Sequence, residues 1–369
     1  MKAHPQAPVD ELRVSAYRVP TDAPETDGTL RWEATTLVLV ELTGGGHSGL
    51  GYTYADASLV SLLGERLRAC VEGADALAIG EIGQRLWQGV RNLGRDGLAA
   101  CAISAVDAAL WDLKAKLLDQ PLAVLLGLRR ERVPLYGSGG FTSYDDERLA
   151  RQLGDWVAEA GCRWVKMKVG ADSRRDAERV ARARAAIGDA GLFIDANGAH
   201  SVRSAIAFAR QVAEQQVAWF EEPVSSDDPA GLREVRQALG AAGQAMDIAA
   251  GEYAYNLDDF RRLLEQRAVD VLQADLTRCG GVSGFLQAAT LCEAHHLDLS
   301  AHCAPALHRH VACAAPQLRH QEWFHDHVRL ESLLFDGAPR AVAGAMVPDL
   351  SRPGHGLEFR HLDARRYAV

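Results

Sequence analysis

The chain has 369 residues, 48% hydrophobic and 24% charged, which suits a large barrel or two domains sharing a core and excludes a disordered or fibrous protein. A net charge of −9, with no basic cluster interleaved with aromatics, argues against a nucleic-acid partner. Seven scattered cysteines without a C-x-x-C pair disfavour a zinc site or a disulfide framework, and no apolar run resembles a signal core or a membrane span, so a cytoplasmic location is expected.

Residues 12–20 alternate weakly, and residues 35–42 read as a strong strand that turns through Thr43-Gly-Gly-Gly46 into a second strand ending at Tyr54. Residues 21–29 are polar, with Pro24 and Gly28, and are expected to form a mobile loop. Helical patterns follow at 57–72, 79–93 and 97–118, the last placing Ile103, Val106, Leu110 and Leu113 on one face before Pro121 ends it. Residues 1–130 therefore read as an α+β unit.

From Val133 the texture changes to short apolar strands alternating with amphipathic helices. Strands are expected at 133–141, 164–170, 192–197, 218–222, 247–253, 269–276, 297–302 and 321–324, with helices near 145–160, 173–188, 201–214, 228–239, 257–266 and 281–296. Eight strands in this alternation predict a parallel barrel of the (β/α)8 type lacking its last helix, over residues 131–330. A doubly wound sheet is disfavoured because no Gly-rich dinucleotide fingerprint follows the first strand. Residues 331–369 are loop-rich, with Pro348 and Pro353, and are expected to pack back on the N-terminal unit.

Chemistry in such a barrel comes from the C-terminal strand ends. Lys166 and Lys168 end the second strand two residues apart, so both point one way while Val165, Met167 and Val169 point the other. Two buried ammonium groups are expected to lower each other's pKa, which suits a base, although a strand end reaching solvent carries such pairs too. Asp195, Glu221 and Glu252 end the next three strands and would converge as hard oxygen ligands, a set that wants Mg2+ because three unpaired anions repel. Asp275 and His302 end the sixth and seventh strands, and an aspartate accepting from one imidazole nitrogen raises the basicity of the other. Glu322, on the eighth, would donate to a substrate carboxylate if protonated, or form a rim ion pair. This constellation suits removal of a proton next to a carboxylate: the cation stabilises the enediolate while Lys168 and His302 flank the carbon.

In order and spacing, Lys166-Met-Lys168, Asp195-Ala-Asn197, Trp219-Phe-Glu-Glu-Pro223, Gly251-Glu252, Asp275 with Arg278-Cys-Gly-Gly281, His302 and Glu322 resemble the enolase superfamily, mandelate racemase-like subgroup. Residues 102–112 and Leu125-Leu-Gly127 are similar to that family's approach to its barrel, so the resemblance covers almost the whole chain. It implies a modified TIM barrel, (β/α)7β, under an α+β capping domain that the C-terminal segment completes. It also implies that Glu221 rather than Glu222 is the third metal ligand, and that loops near 19–32 and 50–56 select substrate. Trp32, Tyr52, Tyr54 and Asn197 are the substrate-binding candidates. Relatives that cyclise muconate or epimerise dipeptides would carry a lysine where Asp275 stands, which favours the mandelate racemase-like branch. The resemblance implies a small carboxylate substrate, a homo-oligomer, and an acid-sugar dehydratase giving a 2-keto-3-deoxy acid. A racemase or epimerase of a 2-hydroxy acid is the alternative, and a noncatalytic binding barrel the third possibility, to be expected only if a ligand or base were missing.

Overall fold

A computed structural model describes residues 6–369. The first three strands, β1 (Glu11–Thr26), β2 (Arg31–Gly44) and β3 (His47–Tyr54), form an antiparallel sheet in that order. β2 is apolar on both faces because both are covered. Val38, Val40 and Leu42 pack with Ile82, Leu86 and the long helix Leu98–Leu117, whereas Leu37 and Leu39 join Tyr52 in the cluster that continues into the barrel layer. Gly51 lets that helix approach, since a Cβ there would lie 2.3 Å from the Ala105 carbonyl oxygen.

Residues 21–29 are not the mobile loop expected of their composition. β1 and β2 stay paired past a register shift between Pro20 and Glu25, with Glu25 opposite Trp32 and Thr26 opposite Arg31. The tip of this ribbon is docked on the barrel: Thr142 N donates to Thr26 O at 2.8 Å, and Ser143 Oγ to Pro24 O at 2.7 Å. Gly28 fits so closely that a Cβ would meet the Ala196 and Val169 carbonyl oxygens at 2.3 and 2.7 Å.

Eight parallel strands follow: β4 (Val133–Gly139), β5 (Trp164–Lys168), β6 (Gly191–Asp195), β7 (Val217–Glu221), β8 (Asp247–Ala250), β9 (Val271–Ala274), β10 (Asp298–Ala301) and β11 (Leu318–Phe324). They pair in sequence order, and β11 pairs with β4 to close the barrel. The six expected helices are present as Asp146–Ala158, Asp176–Ile187, Val202–Gln211, Pro229–Ala241, Leu257–Glu265 and Gly281–His295. Two more were not anticipated. Pro305–Ala314 is buried at every residue, so it has no amphipathic period to read. His325–Leu334 follows β11 and carries the chain back to the N-terminal unit, where His355 N donates to Asp112 Oδ1 of the Leu98–Leu117 helix at 3.0 Å and its Nε2 lies 2.8 Å from Leu50 O of β3. No helix among the described residues is long and apolar enough to cross a membrane.

Candidate active site

Inward positions on the strands follow a two-residue rule. Phe193 and Trp219 pack together inside the barrel, and Asp195 and Glu221, two residues on, occupy the next layer toward the strand ends, opposite each other in register. Lys166 and Lys168 share that interior while Val165 and Met167 join the outer core. Glu252, Asp275 and His302 come just after β8, β9 and β10, and Glu322 lies within β11. All eight are buried. Lys166 Nζ donates to Glu221 Oε1 and Oε2 at 2.6 and 2.7 Å and lies 2.8 Å from Glu322 Oε1. Lys168 Nζ donates to Asp195 Oδ2 at 2.5 Å and to Asn197 Oδ1 at 3.1 Å. His302 Nδ1 is 2.8 Å from Asp275 Oδ2, and its Nε2 is 2.9 Å from Glu252 Oε2. Asn197, Glu222, Cys303 and Ala304 have left-handed backbones, with φ of 45°, 37°, 49° and 40°, so strain collects at these strand ends.

Above this layer is a pocket of about 200 Å³. Lys168, Asn197, Glu252, Tyr253, Arg278, His302, Cys303 and Glu322 line it, together with Asp27, Leu30, Trp32, Thr35, Phe324 and His327. A larger cleft, about 460 Å³, lies between Asp96, Tyr255 and Arg262, but it gathers no comparable set of buried acids and bases.

Residues 12–127 match the family model for the mandelate racemase / muconate lactonizing enzyme N-terminal domain, and residues 148–364 match the enolase C-terminal domain-like model. The chain belongs to the enolase superfamily, mandelate racemase-like subgroup. A solved mandelate racemase/muconate lactonizing enzyme-like protein from Rubrobacter xylanophilus superposes with a TM-score of 0.94 at 48% identity, over 98% of this chain and 100% of that one. The 3,6-anhydro-alpha-L-galactonate cycloisomerase of Streptomyces coelicolor is 33% identical over 367 residues, 96% of this chain and 98% of that protein. The L-talarate/galactarate dehydratase of Salmonella typhimurium is 32% identical over 302 residues, 79% of this chain and 74% of that protein. Its structure with Mg and L-lyxarohydroxamate gives a TM-score of 0.87 at 27% identity, covering 99% and 93% of the two chains.

Within this superfamily member, six buried carboxylates, Asp195, Glu221, Glu222, Glu252, Asp275 and Glu322, crowd around Lys166, Lys168, Arg278 and His302. Glu222 Oε1 has no hydrogen-bond partner, and Glu252 Oε2, though near His302 Nε2, is not aligned to accept from it. Glu221, Glu252 and His302 each bring one ligand atom within 4.8 Å of the others. Asp195 adjoins Glu221, with Oδ2 on Lys168 and Oδ1 accepting from Asn197 N at 2.9 Å. This excess of anionic oxygen, part of it unsatisfied, fits a hard divalent cation.

The charges correct one expectation and choose between two alternatives for another residue. Burial, and for Lys168 the neighbouring Lys166, do push the lysines down. The surrounding carboxylates, Glu221 and Glu322 on Lys166 and Asp195 on Lys168, outweigh this and hold both above the usual lysine range. Of the two readings of Glu322, the structure shows the ion pair, buried rather than at the rim, with Lys166 Nζ 2.8 Å from Oε1. Against burial, Lys166, His302 and Lys168 hold Glu322 well below the usual carboxyl range, and it accepts from Ser138 Oγ at 2.6 Å and Cys303 N at 3.0 Å. Burial lowers His302, but Cys303, Glu252, Glu322 and the bond to Asp275 hold it well above the usual imidazole range.

Asn197 and Trp32 line the pocket as expected of them. Tyr52 and Tyr54 do not. Both are directed at helix His325–Leu334, their hydroxyls 2.6 and 3.3 Å from Glu331 Oε1, and Tyr54 stacks on His327 at 3.5 Å. The sequence reading missed Thr35, Tyr253 and His327 as pocket residues, and quoted Arg278 only within a motif. The signal for His327 was its place five residues beyond Glu322, on a helix that was not foreseen.

Proposed function

We propose that this protein is a magnesium-dependent dehydratase of a sugar acid, producing a 2-keto-3-deoxy acid. The observation that carries the reading is that Lys168 and the His302–Asp275 pair, from well-separated strands, open into one pocket over a carboxylate cluster. Asp195, Glu221 and Glu252 would hold the ion, with the hydrogen-bonded environment of Lys166 behind them. When bound, the ion supplies Lewis-acid stabilisation for the charge that proton removal pushes onto the substrate carboxylate. With Asp195, Glu221 and Glu252 engaged by the ion, the anionic field that holds Lys168 protonated would be neutralised, leaving its Nζ free to take the proton from the carbon next to the carboxylate, while Asn197 orients the ammonium so formed. His302, kept as imidazolium by Asp275, gives its Nε2 proton to the β-oxygen as the C–O bond breaks. Water leaves, and the enol that remains becomes the keto acid.

A second reading has the support of the cycloisomerase relative. If the departing β-oxygen is tied into a ring, the same two proton transfers lose no atoms and the reaction is an isomerisation. A racemase or epimerase arises if His302 returns a proton to the carbon that Lys168 deprotonated. A screen of sugar acids in deuterated solvent separates these outcomes. Keto-acid formation with loss of water supports dehydration, ring opening at constant mass supports cycloisomerisation, and deuterium uptake with inversion supports racemisation. No exchange with any acid at saturating magnesium refutes all three.

A further inference from the structure

We propose that the pocket selects a singly charged sugar acid whose far end is a hydroxyl, an aldonate rather than an aldarate, with His327 and Thr35 as the residues that distinguish the two. The inference rests on the reading of the pocket as a sugar-acid site.

The wall away from the strand-end acids comes from the docked ribbon and from helix His325–Leu334. Trp32 is fixed there, with its Nε1 donating to Glu25 Oε2 at 2.8 Å and its ring set edge-on against Phe141 at 5.6 Å. His327 Nδ1 accepts from Ala304 N at 3.2 Å, so the imidazole proton sits on Nε2. Stacking on Tyr54 fixes the ring, and burial pushes its pKa down to about 3, so His327 offers the pocket one neutral N–H donor. Thr35 is the complement. Its hydroxyl hydrogen is committed to Asp326 Oδ2, which leaves its oxygen lone pairs as acceptors.

One donor and one acceptor lining the same pocket match a hydroxyl, which both accepts and donates. A carboxylate only accepts, so it would face the Thr35 lone pairs unfavourably and would also meet Asp27, whose Oδ1 already accepts from Thr29 N and Leu30 N. The nearby cations are occupied. Arg278, on the strand-end side, lies 3.6 Å from both Glu252 Oε1 and Asp275 Oδ2, Arg148 pairs with Asp22, and Arg329 pairs with Asp326. A second carboxylate here would be desolvated without a counter-charge.

The test is calorimetric titration of the magnesium-loaded protein with acids that differ only at the far carbon, D-galactonate against galactarate and D-gluconate against D-glucarate. The expected result is at least about 100-fold tighter binding of the aldonate of each pair, the size of an uncompensated charge in a desolvated pocket. Leu30→Arg, at an exposed mouth position, is expected to narrow that ratio about tenfold by supplying the missing counter-charge. Equal or tighter aldarate binding, or no binding by either acid, overturns the inference. Deuterium exchange, measured on the same samples, reports on the chemistry separately. Aldonate preference without exchange keeps the inference and removes the proposed reaction, whereas exchange with aldarate preference does the reverse.

Discussion

Asp275→Asn isolates what the carboxylate does for His302. Asp275 Oδ1 accepts from Thr277 N and Oγ1, both at 2.7 Å, and Oδ2 lies 2.8 Å from His302 Nδ1. An asparagine that keeps the Thr277 bonds turns its NH2 group toward Nδ1, which must then accept and can no longer be protonated. The imidazolium loses a counter-charge at roughly 4 Å, about 4 kcal/mol at an effective dielectric near 20. That corresponds to about a 1,000-fold fall in kcat/KM. The assay is steady-state turnover on the best acid from the screen, alongside the thermal midpoint, which should change little because the shape is conserved. A variant within tenfold of the parent rate would refute the dyad.

Lys168→Ala is expected to lower turnover by about 10² to 10⁴ while leaving the fold intact by circular dichroism. Chelation should abolish turnover and added Mg2+ should restore it; persistent activity in chelator would sink the carboxylate cage. Glu331 is pushed by burial up to about 8 from an unfolded value of 4.5, so its contribution to stability is full below about 4.5 and is lost as pH rises toward 8. Denaturant unfolding of Glu331→Gln should therefore gain on the parent between pH 5 and 8, by about 4 kcal/mol in all; identical pH slopes would contradict the buried neutral carboxyl. Gly51→Ala should cost about 2–4 kcal/mol by thermal melting, because backbone atoms of the Leu98–Leu117 helix must move.

The barrel strands were legible because short apolar runs alternate with amphipathic helices, and most runs close on a polar residue, in two of them directly above an aromatic inward position, Phe193 under Asp195 and Trp219 under Glu221. The ribbon at 21–26 was not legible: its pairing resumes only after a register shift, and its anchors, Thr142 and Ser143, lie more than a hundred residues away. Tyr52 and Tyr54 pointed to the pocket by their place in the chain, but their hydroxyls are committed to Glu331 on a helix whose pattern gave no signal. The lysine charges were misjudged for a related reason. Alternation shows that Lys166 and Lys168 share a face, but not how many carboxylates from other strands reach them.

The covering of β2 on both faces also bears on how the molecule comes apart. Val38, Val40 and Leu42 belong to the core of the N-terminal helices, whereas Leu37 and Leu39 belong to the core shared with the barrel layer. Released from the barrel, the sheet would expose Leu37, Leu39 and Tyr52 together, a surface typical of a protein interior rather than of a hinge between independent units. Calorimetry should then show a single cooperative transition. The docked ribbon and the strand ends beneath it would then melt as one body.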